Sequence, residues 1–360
     1  MKILLLCNHL NIGGITSYVL LLAKGLVIEG HKVWVAGKGA LVDEFRKENI
    51  EVIPIELKIK SEINPAIFLS IYKLRKYFLK EKPDIIHANT RITSIVAYFL
   101  AKSFKIPYIT TCHGLYKIRL ARILFPFTGD FVIAVSKEVA RQLINDLGIE
   151  PQRIKLIYNG IDLDYFSIDK IHSNRKQFGL KEDDFIIGNI SRLEKMKGQD
   201  LLISAMPGIL KDIPQAKLVL VGEGRMKAYL EQRVKELFLK DKVFFLGSFK
   251  DIRPILKIMD VFCFLSFYEG FGLCLLEAMA MKVPIIASNV SELPYILDYG
   301  KAGILIQNDT ESLFSAIVDL YRNLEKRKEL IEYAYQRVKD FSYTKMIEQT
   351  KEIYKMALKK

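Results

Sequence analysis

Short apolar runs alternate with segments of helical character along nearly all of this 360-residue chain. In the first half the runs fall at residues 2–8, 32–36, 52–54, 84–87, 108–111 and 130–134, with helical patterns between them. Two helix starts are marked by their chemistry. Asn64-Pro65 offers a cap followed by a proline at the first helical position, and Ser17, just after Gly13-Gly14, is expected to cap a helix running to about Glu29. Strands that are apolar on both faces and separated by helices require a parallel sheet covered on both sides. The pattern restarts after Tyr158-Asn159-Gly160-Ile161-Asp162, with runs at 185–190, 216–221, 243–245, 261–265, 284–287 and 303–305. The expectation is an α/β chain of two tandem Rossmann-like doubly wound domains, residues 1–162 and 163–340, followed by a helix at 341–360. The polar stretch 162–175 reads as the linker. Ligands of such sheets bind beyond the carboxyl ends of the strands, and with two domains the natural site is the central cleft they face.

Composition narrows the function classes. Half the residues are hydrophobic and 26% are charged, which excludes a largely disordered chain. The four cysteines (Cys7, Cys112, Cys263, Cys274) lie in apolar stretches with no CxxC pair, so neither a disulfide scaffold nor a structural zinc site is expected. The first apolar run is too short for a signal-peptide core, and no stretch reaches the roughly 18–20 apolar residues of a membrane span. The net charge of +13 calls for an anionic partner: nucleic acid, a phosphorylated metabolite or a membrane surface. Most of the excess sits between Lys58 and Arg122, where 13 basic residues face 3 acidic ones.

Three glycine-containing turns carry candidate chemistry. Asn11-Ile12-Gly13-Gly14-Ile15-Thr16-Ser17 joins a strand to a helix, and its N–H groups suit an anion or a sugar as well as a plain tight turn. It is not GxGxxG, which argues against a dinucleotide-binding dehydrogenase. In Ser191-Arg192-Leu193-Glu194-Lys195-Met196-Lys197-Gly198 two cations precede a helix start, as suits a diphosphate or a solvated basic loop. Glu269-Gly270-Phe271-Gly272-Leu273-Cys274-Leu275-Leu276-Glu277 places two carboxylates around a turn that lets the backbone approach a ligand. From one turn inside the helix, Glu277 is in reach of a pair of ribose hydroxyls.

Together these pieces make the sequence similar to the retaining glycosyltransferases of family 4, glycosyl transferases group 1, which have the GT-B fold. The resemblance covers nearly the whole chain. Its pieces are Gly13-Gly14, Thr110-Thr111-Cys112-His113-Gly114, Ala134-Val135-Ser136, Tyr158-Asn159-Gly160-Ile161-Asp162, Arg192 with Lys197-Gly198, Leu220-Val221-Gly222-Glu223-Gly224, and the Glu-x7-Glu pair Glu269 and Glu277.

The resemblance implies a nucleotide-sugar donor bound by the second domain, with a UDP-sugar the first expectation and GDP-mannose the second. Arg192 and Lys197 would neutralise its diphosphate. Gly270, Phe271, Gly272 and Leu273 would hold phosphate and sugar, Glu277 the ribose, and Glu223 the base side. Glu269 and His113 would lie beside the transferred sugar, and Gly14 would reach the donor from the first domain. Residues 341–360 would cross back onto that domain. The departing diphosphate would take the acceptor proton, so neither a general base nor a carboxylate nucleophile is called for. No metal or other cofactor is expected, and Asp183-Asp184 reads as a turn rather than a metal-binding pair.

The acceptor would be a glycan or lipid-linked molecule of bacterial envelope polysaccharide or lipopolysaccharide assembly, met from the cytoplasmic side. Basic and aromatic residues mix at helical spacing in 72–80 and 116–122. That pattern suits peripheral contact with an anionic membrane through the Lys58–Arg122 window, or an amphipathic helix packed on its own sheet. His87 ends a strand and suits packing or support of the site; His31 reads as a turn residue, His172 as a linker residue, and His9 fits either role. Two other classes stand beside this reading. A UDP-sugar 2-epimerase on the same fold would need further acid/base groups, and a non-catalytic anion-binding protein finds no nucleic-acid motif in the chain.

Overall fold

A computed structural model describes residues 1–57, 64–116, 118 and 120–360. Lys58, Lys60, Lys117 and Arg119 of the basic window lie outside the described residues. The chain forms two compact units, one of residues Met1–Gly160 with Tyr343–Lys360, the other of Ile161–Ser342.

The first unit holds a seven-stranded parallel sheet of β1 (Lys2–Leu6), β2 (Lys32–Ala36), β3 (Glu51–Ile53), β4 (Ile85–Ala88), β5 (Tyr108–Cys112), β6 (Phe131–Ala134) and β7 (Ile154–Leu156), in the order β3-β2-β1-β4-β5-β6-β7. The period-2 alternation of a strand explains why its apolar runs are unbroken. Ile3 and Leu5 enter one core with Val19, Leu22 and Leu26 of the helix Gly14–Ile28 and with Ile347 and Tyr354 of the helix Tyr343–Leu358. Leu4 and Leu6 enter the opposite core with Ile67 and Leu74 of the helix Pro65–Tyr77 and Ile95 of the helix Arg91–Phe104.

The second unit holds a six-stranded parallel sheet of β8 (Phe185–Ile190), β9 (Ala216–Val221), β10 (Val243–Gly247), β11 (Val261–Phe264), β12 (Ile285–Ser288) and β13 (Ile304–Ile306), in the order β10-β9-β8-β11-β12-β13. In both sheets the order reverses beside the first strand, between β1 and β4 and between β8 and β11. Crevices outside the carboxyl ends of strands open at such reversals.

Several expectations need correction. The first helix begins at Gly14 behind Gly13, not at Ser17; the Ser17 hydroxyl lies in its first turn and points back to the Gly13 carbonyl at 3.4 Å. The stretch 162–175 is not an open linker. Its Ser173 hydroxyl donates to the Pro254 carbonyl (2.7 Å), Lys257 donates to the Ile168 carbonyl (3.2 Å), and Arg175 pairs with Asp260 at 2.7 Å, all inside the second unit. Its polarity comes from these ties rather than from solvation. The apolar pattern does not flag β7, a three-residue edge strand with a lysine at its centre. The helix over residues 72–80 ends at Tyr77.

Candidate active site

The loops after β8 and β11 meet at the strand reversal of the second unit. Gly198 makes this possible: it sits at φ 67°, and a Cβ there would stand 2.2 Å from the Leu265 carbonyl oxygen, so no side chain fits between the two loops. Gln199 fastens the first loop by donating to the Ser191 hydroxyl (2.8 Å) and the Arg192 carbonyl (2.9 Å). The result is a cluster of charge. Lys197 forms a close ion pair with Glu269, and both are largely buried. The Ser266 hydroxyl donates to Glu269 at 3.2 Å and stands 3.5 Å from the Lys197 ammonium, which also lies 5.4 Å from the centre of the Phe264 ring. The Glu269 backbone N–H donates to the Ser291 hydroxyl (3.1 Å), and the Gly270 N–H donates to the Glu269 carboxylate (3.1 Å).

Gly272 is the N-cap of the helix Leu273–Ala280, whose positive end opens beside this cluster. Phe271 packs its ring into the unit, 6.1 Å from that of Phe341, so it can serve a ligand through its backbone alone. Glu277 is 8% exposed. Burial pushes its pKa up to about 7, and a hydrogen bond from Cys274 opposes that rise. Arg192 is exposed and 3.7 Å from Glu194, while Lys197 pairs with Glu269. Glu223 is exposed, 3.2 Å from Lys227, while its backbone carbonyl accepts from Leu193 and supports the basic loop.

In the first unit His113 directly follows β5. Its Nε2 lies 3.2 Å from the Asn89 side-chain oxygen, and the Tyr18 ring meets it edge-on at 4.6 Å. Burial lowers the His113 pKa to about 3. Tyr18 belongs to the helix that Gly14 opens, so this packing joins two of the assigned positions; Gly14 itself is exposed, and a Cβ there would meet no atom within 4 Å. His87 is fully buried, held at 2.7 Å by both the Tyr354 hydroxyl and the Thr111 hydroxyl. The Ser136 hydroxyl accepts from the Val139 N–H at 3.2 Å and caps the helix Lys137–Asn145, a structural role.

Sequence reasoning missed Ser266, Ser291 and Asn89. The available signal for the first was a polar residue at a strand exit three positions before Glu269. Among the described residues no group of three or more His, Cys, Asp or Glu stands together as a set of metal ligands, and no helix is long and apolar enough to cross a membrane. The helix Pro65–Tyr77 exposes Phe68, Leu69 and Tyr72 beside Lys73, Arg75 and Lys76, and Phe68 touches Phe99 of the next helix.

A strand reversal lined by a lysine, two carboxylates and a helix N-terminus defines a site for an anionic ligand with hydroxyl groups. Comparison with known proteins gives the class. Residues 12–165 match the model of Glycosyltransferase Family 4, and residues 170–337 that of Glycosyl transferases group 1. The chain is 30% identical to the N-acetyl-alpha-D-glucosaminyl L-malate synthase of Bacillus anthracis, over 78% of this chain and 77% of that protein. It is 31% identical to the UDP-Gal:alpha-D-GlcNAc-diphosphoundecaprenol alpha-1,3-galactosyltransferase of Escherichia coli, over 69% and 68%. A crystal structure of a glycosyltransferase from Rickettsia africae superposes with a TM-score of 0.85 at 25% identity, covering 99% of this chain and 98% of that one. The chain belongs to glycosyltransferase family 4 and has the two-domain α/β fold called GT-B. It is a glycosyltransferase, which sets aside the epimerase and the non-catalytic binding protein.

Proposed function

We propose that the chain transfers a sugar, with retention of configuration, from a UDP-sugar to a lipid-linked glycan acceptor of envelope polysaccharide or lipopolysaccharide assembly; GDP-mannose is the second donor choice. The observation that carries this reading is the Lys197–Ser266–Glu269 cluster at the mouth of the helix Leu273–Ala280. The Escherichia coli relative is named for a UDP-sugar donor and a diphosphoundecaprenol-linked acceptor, which supports the donor and acceptor classes.

In this reading the bond between the sugar's anomeric carbon and the diphosphate oxygen breaks, and a bond from the acceptor oxygen forms on the same face. The acceptor proton passes to the departing diphosphate. Lys197, with Arg192 and the helix N-terminus, balances the charge that grows there. The Gly270–Leu273 backbone holds phosphate and sugar, Glu277 the ribose hydroxyls, and Glu223 the base side. Glu269 contacts sugar hydroxyls, and Gly14 and His113 keep the donor-side roles that the family resemblance gives them. The charge balance is met by side chains, so transfer is expected to survive EDTA.

Thermal-shift screening against UDP- and GDP-sugars tests the donor, since stabilisation follows mass action on the molecule that binds. A transfer assay with the stabilising donor and a lipid-diphosphate sugar acceptor then tests the reaction, and the product's anomeric configuration tests retention. Full activity in both Glu269→Ala and Arg192→Ala would overturn the site assignment.

The exposed Phe68, Leu69 and Tyr72, set among lysines and arginine on one helix, support a second element of the proposal: peripheral contact with an anionic membrane. Flotation with anionic vesicles, weakened by salt and by Phe68→Ser/Tyr72→Ser, checks it.

A further inference from the structure

Asn89 follows β4 just before the helix Arg91–Phe104 and is 1% exposed. Its backbone N–H is shared between the Leu6 carbonyl (3.1 Å) and the Thr93 hydroxyl (3.2 Å), so the residue is fixed where it stands. Its side chain is fixed as well. The Nδ2 group donates to the Leu6 carbonyl at 3.3 Å, and a carbonyl can only accept, so Oδ1 must point the other way. There it meets Nε2 of His113 at 3.2 Å.

An amide oxygen also can only accept. The contact is a hydrogen bond only when the proton sits on Nε2. A neutral imidazole has one N–H, so Nδ1 is then an acceptor. Among the described residues no hydrogen bond reaches Nδ1. The edge-on Tyr18 ring fixes the imidazole plane. Tyr18 and His87 are titratable groups beside the ring, and the neighbouring Cys112 thiol is pushed up by burial to about 11. Burial pushes Tyr18 up to about 12 and His87 down to about 3, so none of the three brings a charge near neutral pH.

We infer that Asn89 sets the tautomer of His113, holding the proton on Nε2 and leaving Nδ1 to accept a hydrogen bond from a hydroxyl of the donor sugar. This rests on the reading of His113 as the residue beside that sugar. Asn89 is a positioning residue, acting through the imidazole and touching no substrate. Its amide does what a carboxylate could not. A carboxylate would accept the same hydrogen bond but would favour the imidazolium, in which both nitrogens donate and the acceptor is lost.

The test is the protonation state of the ring, read from long-range proton–nitrogen correlation spectra of the 15N-labelled full chain at pH 7.5. The signals of His113 are identified by their loss in His113→Gln. The expected wild-type pattern is a protonated Nε2 and a bare Nδ1. In Asn89→Ala the pattern shifts towards the other tautomer, and kcat falls about fivefold, the worth of one neutral hydrogen bond. In Asn89→Asp both nitrogens are protonated near neutral pH, and transfer recovers as pH rises. A wild-type ring protonated on Nδ1 or on both nitrogens overturns the proposal without any variant having to fold. An Asn89→Ala spectrum identical to wild type overturns it too. Transfer by His113→Ala is the separate arm. Full activity there would refute the placement of His113 beside the sugar, and the tautomer spectra would be untouched by that result.

Discussion

At the scale of residues, burial decides which titrations matter. The pKa of Glu277 is raised from its ordinary 4.5 to about 7. The folded state therefore holds a proton that the unfolded state has already lost between those values. The stability this confers is complete below about pH 4.5 and disappears as pH rises through 7. The Glu277→Gln variant should flatten that part of the stability profile in denaturant titrations. The ribose role of Glu277 adds a second expectation. Hydroxyl donors favour the carboxylate, so donor binding should release a proton below about pH 7 and weaken as pH falls; calorimetry in buffers of different ionisation enthalpy measures this. His87 and His113 act in the opposite sense. Both pKa values are lowered to about 3, so the unfolded chain takes up protons below about pH 6.5 that the folded chain refuses, and stability is lost as pH falls from there. Much of this site was legible in the sequence, because glycine turns and a Glu-x7-Glu spacing are local patterns. Asn89, Ser266 and Ser291 were not. Each is a common polar residue with a partner that only the fold brings close, across 24 positions for Asn89 and His113, 22 for Ser291 and Glu269 and 69 for Ser266 and Lys197.

At the scale of elements, the helices Gly14–Ile28 and Tyr343–Leu358 pack against each other at Gly25. A Cβ on Gly25 would stand 1.9 Å from the Ile347 side chain. The Gly25→Leu variant should lose about 1–3 kcal/mol of stability by overpacking, measured by chemical denaturation. The same terminal helix supplies the Tyr354 hydroxyl to His87, and Tyr354→Phe should cost about 1–3 kcal/mol because it leaves a buried ring nitrogen without its partner. The strands were the most legible elements, since a strand buried on both faces writes itself as an apolar run. β7 escaped because an edge strand is covered on one side and needs no such run. The helix start at Gly14 escaped because a serine near a glycine pair looks like a cap, whereas here the backbone turn at Gly13 opens the helix without any side-chain cap.

At the scale of the molecule, the +13 charge separates into parts with different surroundings. Lys197 is largely covered in its ion pair, and Arg192 stands exposed beside Glu194. Lys73, Arg75 and Lys76 share a helix with exposed aromatic and aliphatic side chains. Raising the salt concentration should therefore weaken vesicle binding far more than donor binding, because screening acts on exposed charges. Comparing flotation and donor-induced thermal shifts over one salt series measures the difference.

The chain enters its first unit, leaves it at Gly160, builds the whole second unit and then returns with Tyr343–Lys360. Synthesis runs in the same order. The core that contains Leu22 and Leu26 is closed by Ile347 and Tyr354, which the ribosome adds some 320 residues later. The unit begun first is thus finished last, and His87 waits for its tyrosine until the second unit has already been made. Pulse-labelled nascent chains should show the Ile161–Ser342 unit resisting protease before the Met1–Gly160 segment does.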